Sequence, residues 1–109
     1  MLKYSKDAFQ VFKALGDPTR LAMIDMLSHG RARVSDLAAP FEMSLPAVHQ
    51  HLAILEESEL VICHKEGRVR WCQLNATKIE EAETWLRDRK TLWNTRLDAL
   101  GQLFKEENS

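Results

Sequence analysis

The chain is 109 residues long, with 45% apolar and 28% charged residues and a formal net charge of −1. That length sustains one buried core but not two, and the mixture is that of a globular protein rather than a disordered tail. Its opening, Met1-Leu-Lys-Tyr-Ser-Lys-Asp7, is too polar for a signal peptide or a membrane span, so a cytoplasmic protein with no membrane partner is expected.

Ser5 can cap a first helix on which Ala8, Phe12 and Leu15 form one stripe with Phe9 beside it, and Gly16 ends that helix. Asp17 caps and Pro18 opens a second helix, with Leu21, Ile24 and Leu27 directed at the core. Val34, Leu37, Ala38 and Phe41 then fall at i, i+3, i+4 and i+7, with Ser35 placed to cap. After a break at Glu42-Met43, Ser44 is an N-cap and Pro46 fits a first helical turn, where amides lack partners anyway. Val48, Leu52 and Leu55 make a buried stripe, leaving Ala47, His49, Gln50 and His51 around the N-terminal end with little to bury against. Two short amphipathic helices with a tight turn, at about 35–57, read as a helix-turn-helix. An ordinary helical hairpin in an all-α core would share that pattern.

Leu60-Val-Ile-Cys-His-Lys65 and Val69-Arg-Trp-Cys-Gln-Leu74 favour strands, separated by Glu66-Gly67-Arg68. Glycine supplies the positive φ that a hairpin loop needs. Lys65, Arg68 and Arg70 make the hairpin basic, so the segment at about 60–74 reads as a wing that can reach phosphate. Asn75 can cap a last helix at about 76–105, on the order of 45 Å long. Ile79, Ala82, Leu86, Trp93, Leu97, Leu100 and Phe104 line it in a seam that Trp85, Leu92 and Leu103 widen. A domain this small cannot cover that seam, which points to a homodimer. Two recognition helices related by a two-fold axis would read an inverted repeat with half-sites roughly 34–36 Å apart.

The run Phe12-Lys-Ala-Leu-Gly-Asp-Pro-Thr-Arg-Leu21, with Ser44-Leu-Pro-Ala-Val-His-Gln-His-Leu52 and Lys65-Glu-Gly-Arg68, resembles the ArsR/SmtB family over nearly the whole chain. The resemblance implies small dimeric bacterial repressors with a single, mainly α, winged helix-turn-helix domain containing a small β-hairpin. Its order would be four helices, two strands and a last helix. It also implies that the fourth helix reads double-stranded DNA and that the first and last helices form the dimer. The segment from Trp85 to Asp98 is similar to a branch of that family without a known metal site.

The expected DNA-binding set is Arg33, Ser44, Leu45, Ala47, His49, Gln50, His51, Lys65, Arg68 and Arg70. Within it, Ser44 and the helix end that it caps suit a phosphate, Gln50 an adenine, His49 a guanine acceptor and Ala47 a thymine methyl. His51 suits either a backbone contact or a packing role. The expected dimer set is Phe9, Phe12, Trp85, Leu86, Leu92, Trp93, Leu97, Leu100 and Phe104. Arg31, Arg33, Lys65, Arg68 and Arg70 can share one basic face, although Glu56, Glu57, Glu59 and Glu66 lie close to it.

No metal and no cofactor are expected. A zinc site needs about four converging ligands, and His29, His49, His51 and His64 are scattered. Cys63 and Cys72 fall on opposite strands of the hairpin, where they are either small apolar residues or a redox pair. Cys63 and His64 are strand neighbours pointing to opposite faces, and no catalytic motif is present, so an enzyme is not expected. The reading is a sequence-specific DNA-binding transcriptional regulator, a repressor that, as the family resemblance implies, also acts on its own gene. The alternatives are a metal- or thiol-responsive repressor of the same family and a winged-helix protein-interaction module. No residue pattern names an inducer.

Overall fold

Each change of direction in the chain is built from a local hydrogen bond. The computed structural model describes residues 6–107, and Ser5, the expected first cap, lies outside them. Helix α1 (Lys6–Leu15) ends at Gly16, whose amide donates to the Lys13 carbonyl. Asp17 Oδ2 accepts from the Arg20 amide at 3.0 Å and opens α2 (Pro18–Leu27). Strand β1 (Ala32–Arg33) runs straight into α3 (Val34–Ala38). Ser44 Oγ accepts from the Ala47 amide at 3.3 Å and opens α4 (Leu45–Glu57).

The end of α4 is closed by two bonds that satisfy its last carbonyls. The Glu59 amide donates to the Glu56 carbonyl and the Leu60 amide to the Leu55 carbonyl, with Glu59 at φ 64°. That left-handed residue turns the chain from α4 into β2 (Val61–Glu66), and the fully buried Leu60 seals the corner. Strand β3 (Val69–Leu74) returns, and α5 (Ala76–Glu107) completes the order. Gly67, at φ 63°, takes the first position of a two-residue loop between the paired Glu66 and Val69.

The expected fold is present: mainly helical, with a winged helix-turn-helix arrangement and the hairpin after the second of the two motif helices. One strand was not foreseen. β1 pairs antiparallel with β3, giving a three-stranded sheet in the order β1-β3-β2. Two residues are too few to display any period, so only the partner strand reveals them.

The core gathers Val11 and Ala14 of α1, Met23 and Leu27 of α2, Leu37 of α3, Val48, Leu52 and Leu55 of α4, and Cys72 of β3. Three local expectations are corrected. Leu21 is 50% exposed, because the face of α2 that turns inward carries Arg20, Met23 and Leu27 at i, i+3 and i+7. Ser35 does not cap α3. That helix begins one residue earlier, and Asp36 reaches back to accept from the Arg33 amide at 3.1 Å. On α1, Val11 and Ala14 are the fully buried residues beside Ala8, while Phe12 and Leu15 are half-buried.

Helix α5 has 32 residues, about 48 Å of rod. Only its first third meets the core, through Lys78, Ile79, Ala82 and Trp85. The radius of gyration is 19.0 Å, against about 13 Å for a compact chain of this length. The excess is the projecting rod. Among the described residues, no helix is long and apolar enough to cross a membrane.

Leu52 is sealed against α4's neighbours, so Leu52→Ala should lower stability by about 2–5 kcal/mol, read as a shifted urea midpoint at unchanged slope.

Candidate nucleic-acid interface

Because Val48, Leu52 and Leu55 fix one face of α4 in the core, the opposite face is set in space. Leu45, Pro46, His49 and Gln50 are exposed on it, and Ala47 is half-buried. A cleft of about 340 Å³ runs between the start of α4, the start of α3 and the hairpin. Arg33, Ser35, Leu45, His49, Arg68 and Arg70 line it, so five of the ten expected DNA-binding residues meet around one concavity.

The hairpin divides its charges by face. Lys65 and Arg70 are cross-strand partners on one face, with Cys63 and Cys72 the next rung inward. Two cations side by side repel unless an anion joins them. Glu56 of α4 supplies one, accepting from Arg70 at 2.6 Å, and so ties the hairpin to α4. Arg68 and Lys65 have no carboxylate partner among the described residues and remain available to an external anion.

Arg31 does not share this face, against expectation. Its guanidinium lies 4.0 Å from the Trp71 ring centroid and pairs with Glu66 at 2.8 Å. Trp71 is adjacent to Arg70 in β3, so the two side chains leave the strand on opposite sides. Glu66 also takes His64 at 3.1 Å, and these two partners, Arg31 first, hold its carboxyl below the usual range. Of the acidic residues near the site, Glu56 and Glu66 are therefore engaged in fixing the wing, while Glu59 pairs with Lys78 of α5. Arg33 and Asp36 pair likewise: the bond between their side chains raises the Arg33 pKa and lowers that of Asp36.

His51 stands apart from the cleft. It is half-buried, and Arg20 Nη1 donates to its Nδ1 at 3.1 Å, which leaves the neutral ring's proton on Nε2. Sequence reasoning missed this hub. Arg20 Nε donates to the Ala14 carbonyl at 2.6 Å and Nη2 to the Lys13 carbonyl at 3.2 Å. One guanidinium thus satisfies the last turn of α1 and touches α4, while its own backbone amide is held by Asp17. The Asp17-Pro-Thr-Arg20 motif is a bracket between α1 and α4. Three donors at fixed angles are a reason for arginine there.

Cys63 and Cys72, the candidate redox pair, are joined as a disulfide, with Cα atoms 4.1 Å apart. Among the described residues no three His, Cys, Asp or Glu side chains converge on a metal position. Of the expected dimer residues, Phe12 and Trp85 pack on each other within the chain, ring centroids 5.1 Å apart. Phe9, Leu86, Leu92, Trp93, Leu97, Leu100 and Phe104 are each 45% exposed or more.

A recognition helix held by its inner face, beside a basic two-stranded hairpin, defines a winged helix-turn-helix, a class that lays such a helix in the major groove. Residues 17–62 match the family described as bacterial regulatory protein, arsR family. The chain is 36% identical over 76 residues to the transcriptional repressor SdpR of Bacillus subtilis, covering 70% of this chain and 84% of that protein. It is 35% identical over 98 residues to the HTH-type transcriptional regulator Rv2034 of Mycobacterium tuberculosis, covering 90% and 89% respectively. The crystal structure of an ArsR family transcriptional regulator matches with a TM-score of 0.78 at 41% identity, covering 86% of this chain and 97% of that one. The chain belongs to the ArsR family: it is a DNA-binding transcriptional regulator and not an enzyme.

Two outcomes follow from the bracket. Arg20→Ala should lower stability by about 1–3 kcal/mol by orphaning the Ala14 carbonyl and removing the donor to His51 Nδ1, and Arg20→Lys should restore little of it. The Arg20 amide bond holds the Asp17 carboxyl below the usual range, so its contribution is present above the unfolded pKa and lost as pH falls through the folded one. Asp17→Asn should therefore be less stable than the parent by under about 1 kcal/mol at pH 6–7, with the gap closing toward pH 3 in thermal melts.

Proposed function

We propose that this regulator is a cytoplasmic homodimer that represses transcription by occupying an inverted-repeat operator, its own promoter included. The observation that carries the reading is the meeting of the exposed start of α4 with Arg68 and Arg70 of the wing around one cleft, Arg68 having no carboxylate partner among the described residues. Ser44 and the start of α4 hold a phosphate. Gln50 pairs with adenine and His49 with a guanine acceptor, with Ala47 against a thymine methyl. Arg68 and Lys65 take phosphates of the neighbouring turn, and Arg33 and Arg70 join them by exchanging a carboxylate for a phosphate.

Repression is supported by the names of relatives: SdpR is a transcriptional repressor, and relatives in Staphylococcus aureus and Escherichia coli are arsenical resistance operon repressors. The second subunit is supported by α5. From Leu86 onward every described residue of that helix is exposed, and Leu86, Trp93, Leu97, Leu100 and Phe104 fall at spacings of seven, four, three and four. A continuous apolar stripe of that length on a free rod is covered by a second copy. Few free cations per subunit make affinity depend on two half-sites bound together.

Selection of duplexes from a random pool should yield two-fold symmetric sites with half-sites about one helical turn apart. Binding should weaken steeply with salt while sequence preference survives; a protein-interaction module would show neither. Gln50→Ala should cost about 1–3 kcal/mol on the selected site and flatten discrimination at one position per half-site. Leu97→Asp should sediment as a monomer and bind the full site about a hundredfold more weakly, with little change in its binding to a single half-site.

A further inference from the structure

We propose that Cys63 and Cys72 are a thiol–disulfide modification site of the wing, oxidised by a hydroperoxide, and that the bridged state is the tighter DNA-binding state. The inference rests on the DNA-binding reading above and adds a chemical input to it. Register is the first support. The two residues face each other directly across β2 and β3, so two thiols there meet without a shift in strand pairing. Accessibility is the second. Cys72 is wholly buried in the middle strand of the sheet, whereas Cys63 is only half-buried, so an oxidant from solvent reaches one sulfur and not the other.

That asymmetry assigns the steps. The Cys63 thiolate attacks the peroxide, an S–O bond forms, the O–O bond breaks, and the departing oxygen takes a proton and leaves as water or an alcohol. Cys72 then attacks the Cys63 sulfur, the S–S bond forms, and the sulfenic oxygen leaves as water with the Cys72 proton. In sum, two thiols give two electrons to one peroxide and become one disulfide. A dithiol reductant reverses the change by exchange. In an intracellular protein a bridge of this kind is a transient, signal-bearing state rather than a structural staple.

Position gives the bridge its consequence. It lies on the same face as the Lys65–Arg70 rung and one step inward from it, and Arg70 is tied to Glu56 of the recognition helix. Beyond the bridge, His64 through Val69 are exposed, so besides its ladder the outer hairpin is held by surface ion pairs, Arg31–Glu66 and Arg70–Glu56, rather than by packing. Fixing the rung beneath lowers the freedom that Lys65 and Arg68 lose when they take phosphates, and a smaller ordering loss means tighter binding.

The test compares one protein in two states. Full-length chain is treated with hydrogen peroxide or with dithiothreitol, its thiol state is read by intact mass, and binding to a selected duplex is followed by fluorescence anisotropy. Peroxide should remove two hydrogens, and the oxidised protein should bind about three- to tenfold more tightly than the reduced one. Cys63→Ser, altered at the half-exposed position, should bind like the reduced parent after either treatment. Equal affinities of the bridged and reduced parent, or a parent that keeps both thiols under peroxide, would overturn the proposal and leave the DNA-binding reading standing. A protein that forms the bridge under peroxide yet binds no duplex in either state would overturn both.

Discussion

Val48, Leu52 and Leu55 are almost wholly sealed from water, and everything that α4 presents outward depends on that seal. A helix of 13 residues is marginal in isolation, so its existence as well as its orientation derives from burial of this one stripe. The same three residues that build the core therefore aim Leu45, His49 and Gln50 away from it. Arg20 adds direction to a contact that burial alone leaves non-directional: hydrogen bonds to the end of α1 and to His51 fix how α4 sits along the stripe. Function here is the outer half of a packing arrangement.

The near-neutral charge, awkward for a protein that binds a polyanion, is resolved by where the carboxylates go. Glu56 holds Arg70, Glu66 holds Arg31 and His64, and Asp36 holds Arg33. The Glu56–Arg70 and Glu66–Arg31 pairs join different parts of the chain and Asp36–Arg33 closes a helix start, so these three set the shape of the site in the absence of DNA. Exposed pairs contribute little to stability, and that weakness is useful because a phosphate can displace a carboxylate from a guanidinium without a large loss. Arg68 and Lys65 need no such exchange. A small number of free cations suits sequence discrimination better than indiscriminate adhesion.

Most of this arrangement was legible in the residues, for identifiable reasons. Asp17 and Ser44 announce their helices because an N-cap acts over three residues. Gly67 announces the wing because positive φ is a local demand. What stayed hidden depends on contacts across the fold. The orientation of α2, with Leu21 out and Met23 in, is set by Arg20 reaching α1 and α4, which no periodicity displays. β1 exists only through β3, and Arg31 left the expected basic face because Trp71 and Glu66 offered it a better site. The direct facing of Cys63 and Cys72 was not legible: the residues suggested a three-residue gap, Glu66-Gly67-Arg68, and only the pairing of Glu66 with Val69 shortens the loop to two and sets the register.

The long rod of α5 places a last constraint on the whole molecule. Its apolar stripe contributes nothing to a single chain's core, since the stripe begins where contact with the core stops at Trp85. In the proposed dimer, burying Leu86, Trp93, Leu97, Leu100 and Phe104 adds stability that depends on protein concentration, because it belongs to two chains rather than one. Phe12 and Trp85, packed together at the root of the rod, then join the dimer seam to the core. Trp85 leads down α5 to the stripe, while the last turn of Phe12's own helix is gripped by Arg20, which also holds α4. A change in how two rods cross at the seam would reach α4 through the Phe12–Trp85 pair, the last turn of α1 and the Arg20 guanidinium bonded to it. In the proposed dimer that short path would make the angle between the two α4 helices a property of the interface as much as of either subunit.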